Sequence, residues 1–311
     1  MVKARINRAG ILCSLSIFCA LLSTLLATHV SMAHTLPKPR TWQAIVGVQS
    51  KDYAIQGMAF LPKSLWINVG DTVKWTVQSG DIHTVTFLPP GQVPPPYTGA
   101  PNQVNRVGGN VYNGMGYFNS GLMSSFPALN AYKTYALIFS TTGDFVYHCL
   151  VHPSMIGVIH VRPQGTPYPF SQRQYNQQTQ YYTQAILHDG LKLAAIASRQ
   201  SNSRRVTLGI GDGLASVVRF VPSKIVVRAG DSVVFTNRDV ELPHTVTFGP
   251  DPADDTVPYG KPNAFSGQPL NSGFILFGQS YTVKFTKAGV YSFYCALHDY
   301  LGMTTTIVVL P

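Results

Sequence analysis

Gly143-Asp144-Phe145-Val146-Tyr147-His148-Cys149-Leu150-Val151-His152-Pro153-Ser154-Met155 and Gly289-Val290-Tyr291-Ser292-Phe293-Tyr294-Cys295-Ala296-Leu297-His298-Asp299-Tyr300-Leu301-Gly302-Met303 are two versions of one motif. Each begins at a glycine, places aromatic residues at alternate positions and ends the alternation on a cysteine. A period of two is the pattern of a strand with one buried face. The cysteine is followed by a histidine three residues on and then by a methionine, spaced C-x2-H-x2-M in the first copy and C-x2-H-x4-M in the second.

The repetition extends outward from this motif. Phe60-Leu61-Pro62 matches Phe220-Val221-Pro222, and His83-Thr84-Val85-Thr86-Phe87 matches His244-Thr245-Val246-Thr247-Phe248. Asn119-Ser120-Gly121-Leu122 matches Asn271-Ser272-Gly273-Phe274. The offset is 160–161 through the histidine block, then falls to 152 and to 146 at the cysteines. Constant blocks separated by gaps of changing length describe strands joined by tolerant loops. A period near 150 is domain-sized rather than that of a solenoid. Runs such as Leu65–Val69 and Thr72–Thr76, turning at Gly70-Asp71, recur as Lys224–Arg228 and Ser232–Thr236 around Gly230-Asp231. Many short β-branched and aromatic runs with regular turns predict an all-β protein of two antiparallel sandwiches. They span residues 41–163 and 204–311.

Residues 164–203 differ in composition. A Pro/Gly-rich stretch leads into a segment rich in Gln, Ala, Leu and Tyr, with Tyr182, Ile186, Leu193 and Ala197 near helical spacing. This predicts a partly helical linker, broken at Gly190. At the other end, Lys3, Arg5 and Arg8 precede an apolar run from Ile11 to Ala27, and Ser31-Met32-Ala33 supplies the small residues of a cleavage site. Residues 1–33 read as a secretory signal peptide. The apolar run is near the lower limit for crossing a bilayer, so an uncleaved membrane anchor is the alternative. The expected location is periplasmic, extracellular or at the cell surface.

The 311 residues are 45% hydrophobic and only 12% charged, which excludes global disorder. Of the 23 basic residues the leader removes three, and with 13 acidic residues the formal charge falls from +10 to +7. The remainder is diffuse and without charge runs, which argues against nucleic acid and suits an acidic redox partner. The leader also carries Cys13 and Cys19, leaving only Cys149 and Cys295. In an oxidising compartment two thiols invite a disulfide, but their surroundings point to metal. His83, Cys149, His152 and Met155 make one set, and His244, Cys295, His298 and Met303 the other. Two imidazoles, a thiolate and a thioether are the ligands of a blue-copper electron-transfer centre.

On these residues the chain resembles the cupredoxin family. The loop from Cys149 to Met155 is similar to that of amicyanin, and the loop from Cys295 to Met303 to that of plastocyanin. The resemblance covers roughly residues 44–162 and 204–310. It implies Greek-key sandwiches, one type-1 copper in each, and cycling between Cu(I) and Cu(II). It implies also that His152 and His298 are edge-exposed electron gates, ringed by Leu150, Val151 and Pro153 in one domain and Ala296, Leu297 and Tyr300 in the other. The unequal loops imply unequal potentials. Thr84 and Thr245 depart from the family, which carries Asn there to tie the two ligand loops together.

Two other functions stay open at this point. A two-domain copper oxidoreductase, nitrite-reductase-like or laccase-like, needs further histidines. Those left are His34, His148, His160 and His188, too few for a trinuclear cluster. His148 stands where nitrite reductases place a type-2 ligand, but the partner position is Leu88. A copper-storage surface protein is the third possibility. Asp251, Asp254 and Asp255 read as a solvated turn rather than a calcium site.

Overall fold

The computed structural model describes residues 37–311. The leader, Cys13, Cys19 and His34 lie outside them. Each repeat folds as a sandwich, and the two share a sheet. One layer of the first copy runs, in spatial order, Ile55–Leu61, Thr41–Gln49, Thr72–Val77, Thr134–Phe139 and Val111–Tyr112. Facing it are Ser64–Asn68, Ile156–Arg162, Gly143–His148, Thr86–Phe87, Phe118–Ser120 and Arg106–Val107. The second copy repeats the plan with Ala215–Val221, Arg205–Gly211, Ser232–Asp239 and Ser280–Lys284 over a five-stranded sheet. Alternation drives the layering: in Thr134–Phe139, Tyr135, Leu137 and Phe139 are buried and their neighbours exposed. The cores are aromatic, built on Trp75, Phe87 and Tyr147 in one and Phe235, Phe265 and Phe293 in the other.

The domains are not beads on a linker. Strand Ile55–Leu61 pairs antiparallel with Ala215–Val221, so that one nine-stranded sheet runs through both. The register sets Ile55 opposite Val217, Gln56 opposite Ser216 and Gly57 opposite Ala215. With the repeat offset of 160, Gln56 faces its own counterpart. The flanking bonds obey the same symmetry: Met58 N donates to Leu214 O and Val218 N to Ala54 O, both at 2.9 Å. This is the self-complementary contact of a two-fold dimer, made inside one chain. Met58 reaches across the joint into the second core.

The linker helix, Gln172–Gln200, starts in a capping box formed by Ser171 and Gln174. It does not break at Gly190, contrary to the sequence expectation. A β-carbon there would lie 2.3 Å from Ile55 Cγ2, and one on Gly57 would lie 2.8 Å from Ile186 Cγ2. The two glycines let the helix backbone settle onto the joined strands. Glycine inside a helix costs about 1 kcal/mol, less than a clash at that distance. Strand Ile55–Leu61 is buried along its whole length, because core covers one face and the helix side chains the other.

Polar groups also lie in this joint. Asp239 is buried with one carboxylate oxygen unpartnered, and burial pushes its pKa up to about 6. Its carboxyl holds a proton more readily folded than unfolded. That contribution is complete below the unfolded value of 3.8 and is lost as pH rises through about 6. Across that window Asp239 alone withdraws on the order of 2–3 kcal/mol, while the buried histidines, with lowered pKa values, act in the opposite direction. Melting curves of the metal-free wild type and Asp239→Asn at closely spaced pH isolate the aspartate: the stability of the wild type relative to the variant should fall by that amount as pH rises.

Candidate metal centre

Each site is assembled from three places in the fold. The first histidine follows the strand after the Gly-Asp turn. His83 exchanges backbone bonds with Met123, and His244 with Ile275, which fixes both main chains. The cysteine ends its strand, and the loop beyond closes on itself: Cys149 N donates to Met155 O at 3.0 Å and Cys295 N to Met303 O at 3.1 Å. The two additional residues of the second loop form a single helical turn, Asp299–Leu301, closed by Gly302 at φ 86°.

These elements gather six of the eight expected ligands into two groups. Cys149 Sγ lies 4.0 Å from His83 Nδ1 and 3.6 Å from His152 Nδ1, and the two nitrogens are 3.1 Å apart. Cys295 Sγ lies 3.7 Å from His244 Nδ1 and 3.5 Å from His298 Nδ1. Met155 and Met303 are buried at the ends of the same loops. Metal bonds of about 2.0–2.3 Å to nitrogen and sulfur separate donors by such distances, so a single small ion fits each group.

Burial sets the protonation. It pushes the Cys149 and Cys295 thiols up to about 11, and pulls His83 down to about 3 and His298 to about 4. His152 and His244 are also driven well below the ordinary histidine range, again chiefly by burial. At neutral pH the imidazoles offer free lone pairs and each thiol has one proton to give up to an incoming cation. The backbone N–H groups of Thr84 and Thr245 point at the sulfurs, at 3.4 and 3.3 Å. They favour the thiolate once it forms.

The threonines carry the tie that the resemblance left in question. Leu150 N donates to Thr84 Oγ1 at 2.8 Å, so the first-histidine loop holds the cysteine loop. Thr86 donates its hydroxyl to Asn119 Oδ1, so the Thr84 hydroxyl donates to Thr86. Thr245, Thr247 and Asn271 repeat the chain, with Ala296 N as its first donor. The repeated His-Thr-Val-Thr and Asn-Ser-Gly blocks were its only signal in the sequence. Thr84→Val or Thr245→Val keeps the volume and strands a loop N–H, at a cost of about 1–3 kcal/mol. A fall in melting temperature that Thr→Ser does not produce is the expected result.

His152 and His298 are placed differently from the implied exposed gates. His152 is fully buried and His298 is 5% exposed. Asp81 Oδ2 stands 3.5 Å from His152 Nε2. His148 joins neither group, and His160 stacks on Trp66 and hydrogen-bonds Asp144. Cys149 and Cys295 are free thiols in separate sites, so they form no disulfide. No helix among the described residues is long and apolar enough to cross a membrane.

Comparison with known proteins agrees with this geometry. The family described as copper binding proteins, plastocyanin/azurin family, matches residues 206–310. Plastocyanin of Capsella bursa-pastoris is 36% identical over 104 residues, which are 33% of this chain and 97% of that protein. The chain belongs to the plastocyanin/azurin family. Another relative in this family, chloroplastic plastocyanin of Chlamydomonas reinhardtii, is 30% identical over 122 residues, 39% of this chain and 77% of that protein. Among solved structures, a Cu(I) form of an amicyanin variant shares 22% identity over 37% of this chain and 88% of its own, with a TM-score of 0.25. As a plastocyanin/azurin family member with two His-Cys-His groups, the chain is a copper protein with two sites.

Proposed function

We propose that the chain is an exported electron carrier with two type-1 copper centres. His83, Cys149, His152 and Met155 hold one copper and His244, Cys295, His298 and Met303 the other. Copper in such a ligand set supplies one-electron exchange between Cu(I) and Cu(II). The observation that carries the reading is the pair of buried His-Cys-His groups, neutral and pre-assembled. The protein's part is to keep water out, to hold the imidazoles by the first-histidine bridges, and to direct the Thr84 and Thr245 amides at sulfur. A rigid, dry ligand cage changes little between oxidation states. The thioethers of Met155 and Met303 tune the potentials, and the partner is a redox protein suited to a diffuse positive surface.

Copper analysis with visible absorption and EPR tests this. Two coppers per chain, an intense thiolate-to-copper charge-transfer band and type-1 signals alone are expected. A third, non-blue copper would favour the oxidoreductase reading, and bound copper without the intense band would favour storage. The loops of unequal length should give two separate waves in voltammetry.

A further inference from the structure

Both ligand loops end against the other domain. Ser154 Oγ, in the first loop, donates to Gly213 O of the second domain at 2.6 Å. Leu301 O, in the second loop, accepts from Arg219 Nη1 at 2.8 Å, and Nη2 of the same guanidinium donates to Asp52 O of the first domain at 2.5 Å. The Tyr300 ring lies 5.0 Å from that of Phe126, which in turn packs on Tyr53. Leu301 closes over Gly80, where a β-carbon would come within 2.8 Å of its Cδ2. These are symmetry-related arrangements: Tyr53 is the counterpart of Gly213 at the offset of 160. The two-fold relation that joins the strands at Gln56 and Ser216 therefore brings both loops to one interface. His152 and His298 belong to these two loops, and both are buried.

We infer that this interface is an internal junction: His152 and His298 serve electron exchange between the two centres and not the docking of an outside partner. The inference rests on the copper reading above. One electron crosses, so one centre is oxidised as the other is reduced; no bond or proton changes hands. The hydrogen bonds from Ser154 to Gly213 and through Arg219 from Leu301 to Asp52 tie the loops across the joint and favour that exchange.

Two measurements test it on the full-length chain. Diethyl pyrocarbonate labelling read by mass spectrometry, with and without copper, should spare His152 and His298 while modifying the exposed His188. Labelling of His152 or His298 at the His188 rate in the wild-type chain would overturn the junction. In an Arg219→Ala/Phe126→Ala variant, His298 labelling should rise several-fold. Pulsed EPR of the fully oxidised protein should show dipolar modulation that vanishes in either single-copper variant, Cys149→Ser or Cys295→Ser. A spectrum equal to the sum of the two single-site spectra would equally overturn it. A wild-type chain without the blue band would overturn the copper reading instead, while the labelling would still decide whether the joint shields the two imidazoles.

Discussion

Cys149→Ser is expected to remove one of two coppers and the share of the visible band that belongs to the first centre. Cys295→Ser should do the same for the second, and the double variant should be colourless. The reasoning is electronic. The intense band of such centres arises from charge transfer out of a thiolate, and each group contains one sulfur anion at most. A serine hydroxyl in the same dry pocket stays protonated and offers a hard, neutral oxygen. The imidazoles His83 and His152, or His244 and His298, remain, so weak non-blue binding is the most that should survive. Absorption and copper content of the three variants provide the check. A double variant that kept its colour would sink the ligand assignment.

Gly209→Ala is expected to empty the second centre with every ligand left in place, and Gly47→Ala the first. Both glycines sit at the irregular step of their strands, between Val46 and Val48 and between Leu208 and Ile210. Their φ values of +66° and +73° are left-handed, a conformation that costs an alanine about 1–2 kcal/mol. The added methyl would also lie 2.5 Å from His83 Nε2 or 2.1 Å from His244 Nε2. The imidazole must swing away or the strand must move, and overpacking of this kind costs about 1–3 kcal/mol more. A swing of the imidazole takes Nδ1 away from the sulfur. Copper titration of each variant should show one tight site in place of two. Two undisturbed sites would mean that the strand yields without moving the imidazole.

Much of this was legible in the chain. The two His-Cys-His groups, both sandwiches and the linker helix were readable because each rests on a local signal: a period of two, a period of 3.6, or a repeated block with fixed spacing. The joint was not. Pairing between Ile55–Leu61 and Ala215–Val221 uses backbone N–H and C=O groups, which every residue carries. The one trace is that Ile-Gln-Gly-Met-Ala-Phe-Leu lacks the alternation of a strand with a wet face. Gly190 misled because a glycine in a helix reads as a break, whereas here it serves close packing against Ile55. Ser154, two residues beyond His152, hydrogen-bonds Gly213 of the other domain, and no feature of the Cys149–Met155 loop announces that contact.

The Gln56–Ser216 pairing has a consequence for how such a protein can diversify. In a two-fold dimer of identical chains every substitution is made twice, so the halves stay equal and an electron between them has no preferred side. Fused into one polypeptide, the halves are free to differ. Gln56 already faces Ser216, Ser79 stands where the other half has Asp239, and one ligand loop is two residues longer than the other. On the exchange inferred above, inequality between two otherwise matched halves gives the electron a preferred side, which a symmetric dimer lacks.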